Sequence, residues 1–206
     1  MSALQQAVAA AKAIPVEHRL GDEPLPLKEE AFQGLAGEAV RLIEPHSEAD
    51  PAALLIQFLA TFGAMVGREP HYSVEASRHP PALFAVIVGD TAKARKGTSW
   101  NHIKRLFEAV DDEFIAWNLA SGMSSGEGLI HRVRDAVLDE EGEPLDPGAS
   151  DKRLLVVEDE FARPLRVADR QGNTISAIIR SAWDGTRLQT MTKNSPLKAS
   201  EAHISI

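Results

Sequence analysis

The distribution of apolar and polar residues predicts helices in the first third of the chain. Apolar residues recur at helical spacing over about 34–45 and 51–66. Asp50 before Pro51 is a typical start for the second of these helices, with a capping carboxylate ahead of a proline in the first turn. A short helix over 2–13 and a proline-containing linker over 21–30 precede them. We therefore expect an N-terminal helical region over residues 1–67.

Strands and helices alternate in the pattern that follows. Two continuous apolar runs, LFAVIVG (83–89) and the LLVV of RLLVVEDEF, are typical of strands covered on both faces, as at the centre of a parallel sheet. Residues 71–76 alternate like a strand, and helices are predicted over about 98–117, from 126, near 160–168 and over 173–183. This order predicts an α/β fold of three layers over residues 68–206. The closing AHISI alternates with no turn after it, so we expect its strand to continue in a longer chain.

Composition and charge narrow the class of protein. The chain has 206 residues, of which 44% are hydrophobic, and it contains no cysteine, which excludes disulfides and thiolate metal sites. The N-terminus lacks a basic secretory signal, and the most apolar stretch, 52–67, is shorter than the ~20 residues of a membrane span. These features favour a cytoplasmic protein without a membrane anchor. The net charge is −8, which argues against strong nucleic-acid binding outside a local basic patch.

The segment GDTAKARKGTSW, from Gly89 onward, has the outline of a phosphate-binding loop between a strand and a helix. Lys96 could reach phosphate oxygens, and a hydroxyl of Thr98 or Ser99 could hold Mg²⁺. Gly89, however, lies one residue further from the lysine than in G-x-x-x-x-G-K-[ST]. Arg95 stands where the second glycine is usual, and Gly97 separates the lysine from the hydroxyls. A basic turn at a helix start is the alternative interpretation.

Acidic residues follow the second apolar run. Glu158, Asp159 and Glu160 come at its end, and ligands of open α/β sheets collect at the carboxyl ends of strands. One acid could hold the metal and another could orient a water molecule, although carboxylates also favour a helix N-terminus without any ligand. Glu127, after the short strand near 120, is a rival for the catalytic acid. Its simpler interpretation is a helix first turn capped by Ser124 or Ser125.

Taken together, four segments resemble a family of P-loop ATPases from phages and mobile elements that is similar to RecA-like replicative helicases. These are GREPHYSVEASRHPPALFAVIVGDTAKARKGTSW, SGMSSGEGLI, RLLVVEDEFARPL and AWDGTRL…KNSPLKASEAHISI, within roughly residues 50–206. The resemblance implies a RecA-like core that binds ATP and Mg²⁺. It further implies hydrolysis linked to single-stranded DNA, an adjacent primase–polymerase module and a homo-oligomer such as a hexamer.

Within that resemblance, the phosphate-binding positions are Gly89, Arg95, Lys96, Gly97, Thr98 and Ser99. Asp159 is the preferred metal ligand, with Thr98 and Glu158 as further ligands. Glu160 is the preferred residue for orienting the water molecule. The family also implies a polar γ-phosphate sensor after the strand that begins HISI. Two other functions stay open: a RecA-like scaffold that binds no nucleotide, and a small-molecule kinase, for which no lid-like arginine cluster is seen.

Overall fold

The computed structural model describes residues 26–89, 96–192 and 196–206, without the side chain of Lys96. The helix expected over 2–13 lies outside this range. The helices of the described part are α1 Gly34–Ile43, α2 Pro51–Val66, α3 Lys96–Glu108, α4 Asp112–Asn118, α5 Gly126–Arg132, α6 Ala162–Ala168 and α7 Ile175–Trp183. Short 3₁₀ turns span Glu29–Ala31 and Glu44–His46.

A small parallel sheet carries the central strand β6, Arg153–Val156, between β3, Leu119–Ala120, and β9, His203–Ser205. Side chains of a strand point alternately to the two faces of its sheet. Leu155 therefore joins a core cluster with α1 to α4, while Leu154 and Val156 join a second cluster with α5 and α7. Helices cover both faces of the sheet, as an α/β fold with a parallel sheet requires.

Short antiparallel pairs lie outside this sheet. They are β1 Tyr72–Val74 with β2 Ser77–His79, β4 Val137–Leu138 with β5 Pro144–Asp146, and β7 Leu188–Gln189 with β8 Lys198–Ala199. The β4–β5 hairpin lies in a stretch of the chain that is rich in acidic residues. Arg134 donates two hydrogen bonds to Asp146 at its base, 2.6 and 2.8 Å long, and this holds the pKa of Asp146 at about 2. None of the helices in the described ranges combines the length and apolar character needed to cross a bilayer.

The apolar run 83–89 was predicted as a central strand covered on both faces, and this is wrong. The run lies beside β9, where Ile206 N–H donates to Leu83 O and Ala85 N–H donates to Ile206 O, the spacing of a parallel ladder. It is not a regular strand, and no described strand lies next to it on the side away from β9. Val86 is 54% exposed and Val88 is 88% exposed. The segment is apolar, but no described element covers its outer side chains.

The single helix predicted over 98–117 is two helices. Asp111 separates α3 from α4, and its carboxylate accepts a hydrogen bond of 2.8 Å from Phe114 N–H. An aspartate that caps a helix in this way takes an extended backbone, so it ends one helix and starts the next. Ser77–His79, which follows the strand predicted over 71–76, pairs with β1 as β2. The helix over 51–66 and the strand at 153–156 are confirmed.

α2 packs closely on the sheet, and His203 of β9 is buried beneath it. His203 Nε2 lies 2.8 Å from Gly63 O, so Nε2 is the protonated nitrogen, because a carbonyl can only accept. Nδ1 is buried without a hydrogen-bond partner among the described residues. Burial lowers the pKa of His203, and the charges of Arg68 and Arg153 lower it further, against the opposing effect of the Gly63 hydrogen bond.

We expect the free energy of unfolding to fall as the pH is lowered from neutral through the ordinary histidine pKa of about 6.5. In that range the unfolded chain takes up a proton at His203 that the folded chain does not, so stability rises with pH. His203→Gln keeps a donor toward Gly63 but does not titrate, and it should flatten this dependence in urea unfolding. The exposed His79→Gln is the control and should behave as wild type. An unchanged pH dependence in His203→Gln would contradict the assignment.

Candidate functional site

A cavity of about 940 Å³ opens where the strands of the parallel sheet end. Its walls come from α2, residues 84–87, the start of α3, the end of β6, α6 and α7, and they are mostly apolar. Ile206, just after β9, also lines it. Because β9 lies between the 83–89 segment and β6, the cavity spans the ends of all three. Ligands of open α/β sheets bind at this edge.

The acidic residues stand on one wall of the cavity. Glu158 and Asp159 line it, immediately after β6. Glu158 is partly buried, and its Oε1 accepts a hydrogen bond of 2.6 Å from Met123 N–H. Asp159 is exposed, with no side-chain hydrogen bond or ion pair to a described residue. The two acids thus differ. One carboxylate oxygen of Glu158 already accepts a hydrogen bond from the backbone of the loop after β3, whereas the Asp159 carboxylate has no such bond and can bind a ligand.

Glu160 does not line the cavity, in contrast to the two acids before it. It is exposed, and its backbone O accepts a hydrogen bond of 2.9 Å from Arg163 N–H in the first turn of α6. A role in orienting water would require its side chain to turn toward the cavity.

The start of α3, which follows the basic loop in the sequence, lines the same cavity through Gly97. Gly89 is the last described residue before a gap, and Arg95 lies outside the described residues. α3 begins at Lys96, and only the backbone of that residue is described. The first N–H groups of a helix lack helical partners and carry partial positive charge, so the start of α3 is chemically suited to an anion.

Three small residues follow in the first turn of α3. Gly97 lines the cavity, and a Cβ added there would meet no described atom within 4 Å. Thr98 is exposed, whereas Ser99 is buried at 1% exposure. Between the two hydroxyls proposed for a metal, Thr98 is therefore the accessible one.

Glu127 lies away from the cavity walls formed by the described residues. Its Oε2 accepts a hydrogen bond of 3.0 Å from Thr174 Oγ1 and so ties α5 to the start of α7. Ser125 caps α5, since its Oγ accepts from Gly128 N–H at 3.0 Å. The capping predicted at this turn is confirmed, and Glu127 is held by a structural contact.

Several residues of the site were not predicted from the sequence. Gln57 and Thr61 of α2 line the cavity, although α2 lies in the N-terminal region. The sequence did contain a signal for them, because they are two polar residues one turn apart in an otherwise apolar helix. The backbone N–H of Met123 could not have been found, because its partner Glu158 comes from a distant part of the chain.

The donors at the cavity fit Mg²⁺ held together with a phosphate better than a metal held by protein alone. Among the described residues, no group of three or more His, Asp or Glu is arranged around a common point. Mg²⁺ in nucleotide sites takes one or two carboxylates and obtains its remaining ligands from phosphate and water. Asp159 lines the cavity, and Thr98 is an exposed residue directly after the cavity-lining Gly97, so the two are the candidates for such a set.

The chain was compared with protein-family models, with curated proteins and with solved structures. Nothing matches in any of the three comparisons. The geometry and chemistry of the cavity are therefore the basis for a function.

Proposed function

We propose that this chain binds Mg²⁺ and ATP in the cavity at the end of the sheet and is an ATP-hydrolysing module. One observation carries the proposal: Gly97, at the start of α3, and Asp159, after β6, line the same cavity. The two are far apart along the chain, and β9 pairs on one side with β6, which precedes Asp159, and on the other with the 83–89 segment. A helix N-terminus and a carboxylate at one cavity are suited to a metal-chelated polyphosphate.

Each residue has a role that follows from its position. Backbone N–H groups at the start of α3, together with Lys96, would contact phosphate oxygens. Asp159 and the Thr98 hydroxyl would hold Mg²⁺, which when bound supplies charge neutralisation at the phosphates. Glu160 would orient the attacking water after its side chain turns toward the cavity. Glu158 acts differently, since its hydrogen bond to Met123 N–H positions the loop after β3.

The order of the parallel segments further supports a RecA-like assignment. β9 separates the segment that leads into the basic loop from β6, which leads into the acids. The resemblance noted in the sequence places a γ-phosphate sensor just after the strand of β9. Ile206 at that point lines the cavity. A helicase-type machine acting in replication of a mobile element, with DNA-dependent hydrolysis in an oligomer, is the setting we infer from that resemblance.

We expect Mg²⁺ and ATP together to raise the melting temperature of this chain. Ligand at 100 times its dissociation constant stabilises by about 2.7 kcal/mol, which corresponds to about 5–10 °C for a chain of this size. Lys96→Ala should remove most of this shift. Lys104→Ala is the matched control on the same helix, because Lys104 forms only a partly exposed ion pair of 3.1 Å with Glu108.

Equal shifts in Lys96→Ala and Lys104→Ala would place the phosphates elsewhere. No shift in the wild type at saturating nucleotide would favour the scaffold function instead, in which the apolar cavity serves a partner. Guanidinium denaturation with and without nucleotide provides an independent readout of the same linkage.

A further inference from the structure

Gln57 of α2 carries a side-chain amide without a hydrogen-bond partner. Among the described residues, two side-chain atoms are buried and unpartnered, and they are Gln57 Oε1 and His203 Nδ1. The Nε2 of Gln57 donates to no described residue either. A buried carbonyl that has no donor opposes folding, so such an atom calls for a physical explanation. For Gln57 the explanation lies in the cavity beside it.

The amide belongs to the wall that α2 gives to the cavity. Gln57 lines the cavity together with Ile56 and Ala60. The residue is only part-buried, and a glutamine side chain has three torsions, so a rotation of the side chain turns the amide into the cavity. Thr61, the other polar residue of this wall, already donates a hydrogen bond of 2.8 Å from Oγ1 to Gln57 O. Gln57 is therefore the side chain of α2 that can both donate to a ligand and accept from it.

The surroundings of Gln57 are apolar. Trp100 of α3, Leu155 of β6 and Val157 line the cavity and pack in the core cluster to which α2 contributes. α2 packs against α3, and Gly97 lines the cavity at the start of α3, three residues before Trp100. A ligand anchored by phosphate at the start of α3 therefore meets, on the same side of the sheet, an apolar wall that offers one amide.

We propose that this wall holds the base of the nucleotide and that Gln57 selects adenine. A flat ring whose edge both donates and accepts satisfies the apolar wall and the amide together. Adenine donates from its exocyclic amino group to Oε1 and accepts from Nε2 at a neighbouring ring nitrogen, a bidentate pairing that glutamine also makes with this base in DNA. The assignment rests on the proposed function and goes beyond it, because phosphate binding alone does not choose a base.

Other bases suit this wall less well. One edge of guanine carries a carbonyl, a ring N–H and an amino group, and a single amide pairs with only two of them. The third group would be buried among apolar side chains without a partner. The other edge of guanine has only acceptors, which do not pair with Oε1. A pyrimidine has one ring and buries less apolar surface.

Titration calorimetry with nucleosides tests the assignment. Adenosine is compared with guanosine and with purine riboside, which lacks the exocyclic amino group. We expect the wild type to bind adenosine roughly tenfold or more tightly than either of the others. Gln57→Leu removes the amide at similar size, and it should bind adenosine and purine riboside within about threefold of each other. Gln171→Leu is the matched control, because Gln171 is exposed and does not line the cavity, and it should behave as wild type.

An unchanged preference for adenosine in Gln57→Leu would overturn the assignment. Equal binding of the three nucleosides by the wild type would do the same, and so would the absence of adenosine binding at millimolar concentration. Circular dichroism checks that each variant folds. Gln57→Met removes the amide with a flexible side chain, and it gives the same comparison if Gln57→Leu does not fold.

Tripolyphosphate with Mg²⁺ separates this assignment from the proposed function. It presents phosphates without a base, so it should bind the wild type and Gln57→Leu equally. If it binds and adenosine does not, the phosphate site stands and the base assignment fails. If adenosine binds through Gln57 and tripolyphosphate does not, the base assignment stands and the proposed ATP function fails. If neither binds, both are wrong.

Discussion

Gly63→Ala is expected to lower the free energy of unfolding by about 3 kcal/mol or more. An alanine Cβ at this position would lie 1.9 Å from Pro81 O and 3.1 Å from Pro81 C. Both are backbone atoms, so α2 or the chain before the 83–89 segment must move. The movement would also disturb the hydrogen bond from His203 Nε2 to Gly63 O, which joins α2 to β9.

Urea unfolding measures this effect, and a loss of about 6–12 °C in melting temperature should accompany it. Gly128→Ala is the control, since its Cβ would meet only Ser125 Oγ, at 3.4 Å, in helix α5. That substitution should be neutral or slightly stabilising because alanine favours the helix. Similar losses in the two variants would mean that the close approach of α2 to Pro81 is unimportant for stability.

The second large effect separates the two acids of the cavity. Asp159→Asn should abolish the gain in ATP affinity that Mg²⁺ provides, and should lower any ATP turnover roughly 100-fold or more, since a metal ligand is lost. Glu158→Gln should retain both. The glutamine Oε1 can still accept the hydrogen bond from Met123 N–H, which is the contact we assign to Glu158.

Isothermal titration calorimetry with ATP, once in Mg²⁺ and once in EDTA, directly measures the part of the ATP affinity that depends on the metal. Glu158→Ala removes the acceptor altogether, and we expect it to lower stability by about 1–3 kcal/mol, because the Met123 N–H loses its partner. If Glu158→Gln is as damaging as Asp159→Asn, Glu158 is itself a metal ligand and the division of roles is wrong. If neither variant changes Mg²⁺ dependence, the metal lies elsewhere.

Some features of the fold followed directly from local patterns. The bounds of α2 were predicted from Asp50 and from the apolar run that ends before Gly67. Both signals, the cap and the periodicity, come from residues in the helix or next to it. The strand β6 was predicted from its apolar run for the same reason. Asp111 carried a signal for the break between α3 and α4 as well, but continuous apolar spacing across it favoured one helix.

Other features depended on distant segments. Residues 83–89 are as apolar as a central strand, yet Val86 and Val88 are exposed, because hydrophobicity shows that a segment can be buried and not which element covers it. The two acids after β6 look equivalent in the sequence. They differ because the loop after β3 supplies an N–H group to Glu158 and none to Asp159.

The amino-acid sequence by itself determined the α/β class, most of the described helices, the strands of the parallel sheet, and the residue types that we propose for a phosphate and metal site. Only the tertiary structure decided that the start of α3 and the end of β6 share one cavity, with α6 as one of its walls. The physical reason is that periodicity and capping act between residues a few positions apart. The order of strands in a sheet, in contrast, is set by the packing of segments that are far apart along the chain.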